Sequence, residues 1–133
     1  MNSEHVQAEL RRAHQALRSA QLLLDANLLP DAVSRSYYSV LHAARAALLS
    51  QNIIPESHVG VRRLFGLTFV QRGLLESEFG HILRSEQDRR IEADYDVDLD
   101  WTRANVETLI EDGERFLVRI ETYLRDSGRD VTP

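Results

Sequence analysis

Apolar residues recur along the chain at steps of three and four positions. The first such set consists of Val6, Leu10, Ala13, Leu17, Ala20 and Leu24. This spacing places them along one side of an α-helix, whereas a half-buried strand would alternate apolar and polar residues. The pattern predicts a first helix over residues 6–24.

Local signals mark the second and third helices. Pro30 and Asp31 suit a helix start, because the first turn does not need the proline N–H and a carboxylate there complements the helix dipole. We predict a second helix over residues 30–51. Ser57 is a suitable N-cap for a shorter third helix over residues 59–71.

Gly73 tolerates a positive φ angle and is predicted to end the third helix. A fourth helix is expected to begin at Leu74 and Leu75 and to continue towards Arg90. The acidic residues 94–100 are interpreted as a connection, and Asp100 as the N-cap of the last helix. The stripe of that helix consists of Val106, Leu109, Gly113, Phe116, Ile120 and Tyr123.

Short connections between long helices favour antiparallel neighbours. The expected fold is therefore all-α, an up-and-down four-helix bundle with an additional short helix, in a single domain over residues 1–133. A chain of 133 residues with 43% hydrophobic and 28% charged residues is typical of one folded domain.

Composition removes several classes of protein. The chain has no cysteine, which excludes disulfides, thiolate nucleophiles and cysteine-ligated zinc. No apolar run approaches the roughly 18 residues of a membrane span, so we predict a cytoplasmic protein without membrane contact. The net charge of −5 would repel a polyanion overall, although a local basic face can still attract one.

The second helix is unusually poor in charge, with only Arg35 and Arg45 between positions 31 and 52. Such a helix is expected to be covered on most sides. At 100° per residue, one side gathers apolar residues for the bundle core. The opposite side gathers Arg35, Tyr38, His42, Arg45 and Leu49. This second face is either an ordinary half-exposed face, a dimer seam or a ligand-facing groove.

Three segments carry a resemblance to a known family. Residues 34–49, with the sequence SRSYYSVLHAARAALL, resemble the second-helix signature of the HEPN family. Residues 58–66 resemble its third helix, and residues 90–95 resemble the segment before its last helix. The resemblance implies a helical bundle that dimerises, often encoded beside a small nucleotidyltransferase of the MNT type with which it forms a toxin–antitoxin pair.

Active members of the family are metal-independent ribonucleases with an arginine, a gap of four to six residues and a histidine. Here Arg90 is followed, after four residues, by Tyr95. Tyrosine, with a pKa near 10, is a poor base at neutral pH, which argues against nuclease activity at that site. Arg35 and His42 repeat the spacing within the second helix, so the enzymatic status stays open, with Arg90, Tyr95 and His42 as candidates.

Metal chemistry finds little support. Only Glu78 and His81 form a Glu-x-x-His pair, whereas a di-iron bundle needs two such pairs. The alternating aspartates of residues 94–100 lack the glycine of a calcium loop, since Trp101 stands there. We predict no metal and no cofactor.

Six arginines near the third and fourth helices either form an anion-binding patch or pair with nearby carboxylates. The arginines are Arg62, Arg63, Arg72, Arg84, Arg89 and Arg90. The carboxylates are Glu76, Glu78, Glu86 and Asp88.

The sequence thus predicts a homodimer that binds RNA, a nucleotide or an MNT-type nucleotidyltransferase. The expected binding residues are Arg35, Tyr38, His42, Arg90 and Tyr95. Two alternatives stay open: a purely structural protein-interaction module, and a residual metal-independent ribonuclease that uses His42.

Overall fold

The computed structural model describes residues 2–128 and contains, over that range, five α-helices. They are α1 (Asn2–Asp25), α2 (Leu29–Ser50), α3 (His58–Phe65), α4 (Ser77–Tyr95) and α5 (Arg103–Asp126), and a π-helical turn (Gly66–Val70) continues α3. The four long helices form the bundle and α3 is the additional short helix. The predicted all-α fold is confirmed.

α2 is the central helix, because it packs against α1, α3, α4 and α5. Thirteen of its 22 residues are buried, which its scarcity of charge anticipated. Leu49, predicted on the outer face, is only 8% exposed and belongs to the core. The neighbouring helices therefore also cover part of the side of α2 on which Leu49 lies.

The short connection from α1 to α2 depends on an asparagine. Asn27 has a φ of 61°, and Asn52 after α2 has a φ of 62°. The Leu28 amide donates to the Leu23 carbonyl at 2.9 Å, which closes the end of α1 with a left-handed residue. Asparagine adopts this conformation more readily than most residues, so it ends the helix where a glycine is absent.

The predicted N-cap of α3 is confirmed, whereas the α-helix ends at Phe65 and not near the predicted Gln71. The Ser57 hydroxyl accepts a hydrogen bond from the Gly60 amide at 3.0 Å. Gly73 has a φ of 73°, as expected of the residue that reverses the chain. The π-helical turn was not foreseen, and its register is set by the Gln71 amide, which donates to the Gly66 carbonyl at 2.9 Å.

The predicted bounds of α4 were wrong at both ends. The helix begins at Ser77, because the turn around Gly73 extends further and presents Leu75 to the core at 2% exposure. It continues to Tyr95, so Asp94 and Tyr95 are helical and do not belong to the connection.

The predicted cap of the last helix was also wrong. The Thr102 hydroxyl, not Asp100, accepts a hydrogen bond from the Asn105 amide at 3.1 Å. A helix takes its cap from the residue whose side chain reaches the N3 amide, and α5 starts two residues later than Asp100 would require.

One carboxyl group lies in the core. Glu86 is 1% exposed, which corrects its prediction as a surface ion-pair partner. The Ser36 hydroxyl is 2.8 Å from Glu86 Oε1 and 3.2 Å from the Leu109 carbonyl oxygen. Burial raises the pKa of Glu86 to about 8, against the opposing effect of the Ser36 hydrogen bond. α2, α4 and α5 therefore meet around an acid that favours its neutral form.

Within residues 2–128, no helix combines the length and the apolar character that crossing a membrane requires.

Candidate functional site

A groove of about 330 Å³ runs between α1 and α2. Residues 12, 15, 16 and 19 form one wall, and residues 35, 38 and 42 form the other, each set recurring at helical spacing. We call it the α1/α2 groove; its residues are Arg12, Gln15, Ala16, Ser19, Arg35, Tyr38 and His42. Three of the five predicted binding residues thus line one concave surface.

His42 is held by a carboxylate from the neighbouring helix. Its Nδ1 lies 2.7 Å from Glu9 Oε2, and Arg45 Nε donates to Glu9 Oε1 at 3.2 Å. Burial opposes the charge on Glu9, but the hydrogen bonds and positive charges of His42 and Arg45 outweigh burial and lower the pKa of Glu9. An ionised Glu9 favours a proton on Nδ1, which leaves Nε2 of a neutral His42 as an acceptor.

Tyr38 lies between two arginines. The Arg35 guanidinium is 4.9 Å from the centre of the Tyr38 ring, and that of Arg90 is 6.0 Å from it. Arg90 also lies 5.2 Å from the ring centre of Tyr37, and Tyr37 and Tyr38 are themselves 5.2 Å apart. Cation–π contacts of this kind keep positive charge against the rings. Tyr38 therefore connects the α1/α2 groove with Arg90.

Arg90 is tied to the end of its own helix. Its Nη1 donates to Asp94 Oδ2 at 2.9 Å, and the Ser34 hydroxyl donates to Asp94 Oδ1 at 2.9 Å. Asp94 consequently joins α4 to the start of α2 and balances the charge of Arg90. Arg90 is therefore linked to the candidate site mainly by its cation–π contacts with Tyr37 and Tyr38.

Two further aromatic groups lie beside Arg90. Burial raises the pKa of Tyr37 to about 12, although the charge of Arg90 opposes the rise. Burial, together with the positive charges of Arg90 and other nearby cations, lowers the pKa of His58. Both groups are therefore held in their neutral forms near pH 7.

Tyr95 lies apart from the other candidates. It is the last residue of α4 and is 77% exposed. Among the described residues, its ring makes none of the aromatic or cation–π contacts found around Tyr38. The structure thus brings Arg35, Tyr38 and His42 together, places Arg90 beside them and leaves Tyr95 outside.

Comparison with known proteins agrees with this architecture. A family model for the HEPN domain matches residues 6–123, which include all five predicted binding residues. The chain belongs to the HEPN family.

Several relatives of this HEPN protein carry informative names. A protein of Methanocaldococcus jannaschii named "Putative toxin" is 37% identical over 92% of this chain and 91% of its own length. A second protein with that name, from the same organism, is 30% identical over 86% of this chain and 78% of its own length. A protein of Thermotoga maritima named as a UPF0332 protein is 33% identical over 90% of each chain.

The candidate site contains residues that the sequence did not assign to it. Glu9 contacts His42, and Arg12 lines the α1/α2 groove opposite the residues of α2. Asp94 accepts a hydrogen bond from Arg90. No local motif marks them, because their role depends on the packing of α1 and α4 against α2. A weak signal exists for Glu9, since it lies beside Leu10 of the apolar stripe.

The six arginines near α3 and α4 do not form one patch. Arg62, Arg63 and Arg84 line a second groove. Arg89 pairs with Glu92 at 2.7 Å, and Arg90 faces the tyrosines. Among the described residues, the predicted pairing of these arginines with the four carboxylates is confirmed only for Arg62 with Asp88, at 3.4 Å. Glu76 and Glu78 pair instead with Arg119 and Arg115 of α5.

Proposed function

We propose that this HEPN protein acts as a toxin-like homodimer that binds RNA or a nucleotide in the α1/α2 groove. The observation that supports the proposal most directly is the convergence of Arg12, Arg35, Tyr38 and His42 on one concave surface. Guanidinium groups bind phosphate, and a tyrosine ring can stack on a base. The groove therefore offers the two contacts that a nucleotide unit requires.

Both arginines of the groove are available to an anion. Arg12 and Arg35 are exposed and, within residues 2–128, neither is paired with a carboxylate at salt-bridge distance. Arg35 instead lies against Tyr38, which holds its charge at the wall of the groove. A phosphate can thus bind without first displacing an acidic side chain.

A partner nucleotidyltransferase of the MNT type completes the proposal. The relatives named as toxins support a toxin-like role, and a toxin of this kind needs a protein that restrains it. A gene for a small nucleotidyltransferase beside the gene for this chain would support the pairing.

A second candidate function is metal-independent ribonuclease activity, and the contact between Glu9 and His42 favours it. A carboxylate on Nδ1 orients the imidazole, while Nε2 can accept a proton from an RNA 2′-hydroxyl. Arg35 or Arg12 would then hold the phosphate. In this reading His42 replaces the histidine that is missing after Arg90.

Binding can be tested with a fluorescein-labelled single-stranded RNA of ten nucleotides in an anisotropy titration at about 50 mM salt, because the net charge of −5 favours weak binding. We expect Arg12→Ala and Arg35→Ala each to weaken binding about tenfold and to lower the salt dependence by about one counterion. The matched control is Arg18→Ala, an exposed α1 arginine outside the groove.

Two results would decide against binding. If the wild-type protein has no affinity for the RNA or for nucleotides while light scattering shows a dimer, the structural interaction module is correct. If Arg18→Ala weakens binding as much as Arg35→Ala, the attraction is a general effect of charge.

Cleavage needs its own measurement, in the presence of a chelator so that contaminating metal-dependent nucleases are silent. If His42 is the base, His42→Ala abolishes cleavage and Glu9→Gln reduces it about tenfold or more. Cleavage that persists at the wild-type rate in His42→Ala would exclude this candidate.

A further inference from the structure

A groove of about 600 Å³ lies between α4 and the segment formed by α3 and the π-helical turn. Its apolar part includes Val59, Leu67 and Ile91, which are 71%, 40% and 44% exposed. We call it the α3/α4 groove. Exposed aliphatic side chains gathered in one concave surface are typical of a protein contact.

The rim of the α3/α4 groove is positively charged. Arg62, Arg63 and Arg84 line it, and none of its lining residues is acidic. Arg62 makes only long contacts, 3.2 Å to Gln87 and 3.4 Å to Asp88. Within the described part of the chain, Arg63 and Arg84 make no salt bridge. The groove therefore presents uncompensated positive charge around an apolar floor.

The end of α4 and the connection that follows it have the complementary character. Residues 94–100 alternate aspartates with apolar side chains, in the sequence DYDVDLD. All seven residues are exposed, and Val97 is 93% exposed and Tyr95 77% exposed. We call this segment the acidic tract. A valine exposed to this extent is not covered by any other part of residues 2–128.

We propose that the acidic tract of one copy docks into the α3/α4 groove of a second copy, and that the second copy returns the same contact. This inference rests on the proposed homodimer and names the surfaces through which it forms. Asp96, Asp98 and Asp100 would face the arginine rim, while Val97 and its apolar neighbours would cover the aliphatic floor. The contact buries apolar area and neutralises both charges at once.

Reciprocity follows from symmetry and size. A stable interface buries about 800 Å² on each partner, more than one small groove supplies. In a two-fold dimer the same pair of surfaces meets twice, so the contact area doubles. The floor also favours a peptide over RNA, because its exposed side chains Val59, Leu67 and Ile91 are aliphatic, and His81 is the one aromatic ring among the lining residues.

Charge reversal tests the pairing in the full chain, by sedimentation equilibrium at low salt. Arg63→Glu combined with Arg84→Glu should raise the dimer dissociation constant by about 100-fold or more, and so should Asp98→Lys combined with Asp100→Lys. Arg11→Glu combined with Arg18→Glu makes the same change in net charge on the exposed side of α1 and should leave the constant unchanged. Circular dichroism checks that each variant keeps its helices.

The decisive step is to mix the two interface variants. A groove-reversed copy and a tract-reversed copy should form a heterodimer of near wild-type affinity, because each of its two contacts again joins opposite charges. If mixing restores nothing, the proposal is wrong. Val97→Ser provides an independent variant at a position 93% exposed, and it should weaken the dimer without changing the thermal midpoint of protein diluted until it is monomeric.

The remaining outcomes separate this inference from the proposed function. A wild-type protein that is monomeric at all concentrations overturns both the docking and the homodimer. A dimer that ignores every reversal overturns the docking alone. Reversals that leave the dimer intact but abolish RNA binding would assign the α3/α4 groove to a polyanion and overturn the proposal.

Discussion

Replacing Glu86 by glutamine should remove most of the pH dependence of stability between pH 5 and pH 9. The carboxyl group is 1% exposed, and its pKa is raised by burial to about 8, against 4.5 for a free glutamate. Between these values the unfolded chain has lost the proton that the folded chain still holds. The free energy of unfolding therefore falls as the pH rises, by about 1.4 kcal/mol for each pH unit.

Over the whole window the loss amounts to about 5 kcal/mol, a large part of the 5–15 kcal/mol that stabilises a typical domain. The stabilising effect of the neutral acid is complete below pH 4.5 and is lost as the pH rises through the folded pKa of about 8. A protein stable at pH 5 should accordingly be much easier to unfold at pH 9.

Hydrogen bonding explains why glutamine is the right substitution. The Ser36 hydroxyl has one proton but two acceptors within reach, Glu86 Oε1 at 2.8 Å and the Leu109 carbonyl at 3.2 Å. A protonated Glu86 can donate to Ser36 Oγ and so release the Ser36 proton for the carbonyl. The glutamine amide can make the same donation at every pH.

Urea denaturation of the wild type and of Glu86→Gln at several pH values measures the effect. We expect similar stability at pH 5 and a glutamine variant more stable by several kcal/mol at pH 9, with Glu78→Gln, at an exposed position, as the control. Taking the difference between wild type and variant cancels the contributions of all other titratable groups, which the two proteins share. A difference that stays constant from pH 5 to pH 9 would refute the reasoning.

Three further predictions follow from local geometry. Gly113→Ala should destabilise the protein by about 1–3 kcal/mol, because the added Cβ would lie 3.1 Å from the Ser36 hydroxyl of α2. The Cβ of Gly66→Ala would meet nothing within 4 Å, so this variant should be more stable than the wild type by about 0.5 kcal/mol. Urea denaturation measures both changes. In protein diluted until it is monomeric, Thr102→Ala should cost about 1 kcal/mol through loss of the α5 cap, while Asp100→Ala should leave the midpoint of thermal unfolding unchanged. Equal effects would contradict the assignment of the cap. Glu9→Gln should reduce the loss of stability on acidification from pH 6 to pH 3. The lowered pKa of Glu9 stabilises the folded state above pH 4.5, and this stabilisation disappears as the pH falls through the pKa of Glu9 in the folded protein.

The fold was largely predictable from local chemistry. The apolar stripes indicated the number and type of helices. Ser57 marked the start of α3 and Gly73 the turn that follows the π-helical segment, because capping and positive φ depend on single residues. The cap of α5 was not predictable in the same way. Asp98, Asp100 and Thr102 are all good caps, and the packing of α5 against the bundle decides which of them reaches the N3 amide.

The candidate site was predictable only where one helix carries it. Arg35, Tyr38 and His42 share a face of α2, so helical spacing alone groups them. Glu9 and Arg12 come from α1, and their place opposite α2 depends on helix packing. Glu86 shows the same limit, since a glutamate on a helix is usually exposed and only the meeting of α2, α4 and α5 buries it.

A net charge of −5 is compatible with an anion-binding role because the charges are segregated along the chain. Five acids are concentrated at residues 92–100, and arginines line both grooves. The field that a ligand meets is set by the charges within about 10 Å, not by the total. If the acidic tract of one copy docks into the α3/α4 groove of a partner, the arginines of that groove neutralise its charge. The tract then no longer repels RNA. The α1/α2 groove then remains as the positive surface open to RNA, so dimer formation and RNA binding should strengthen each other.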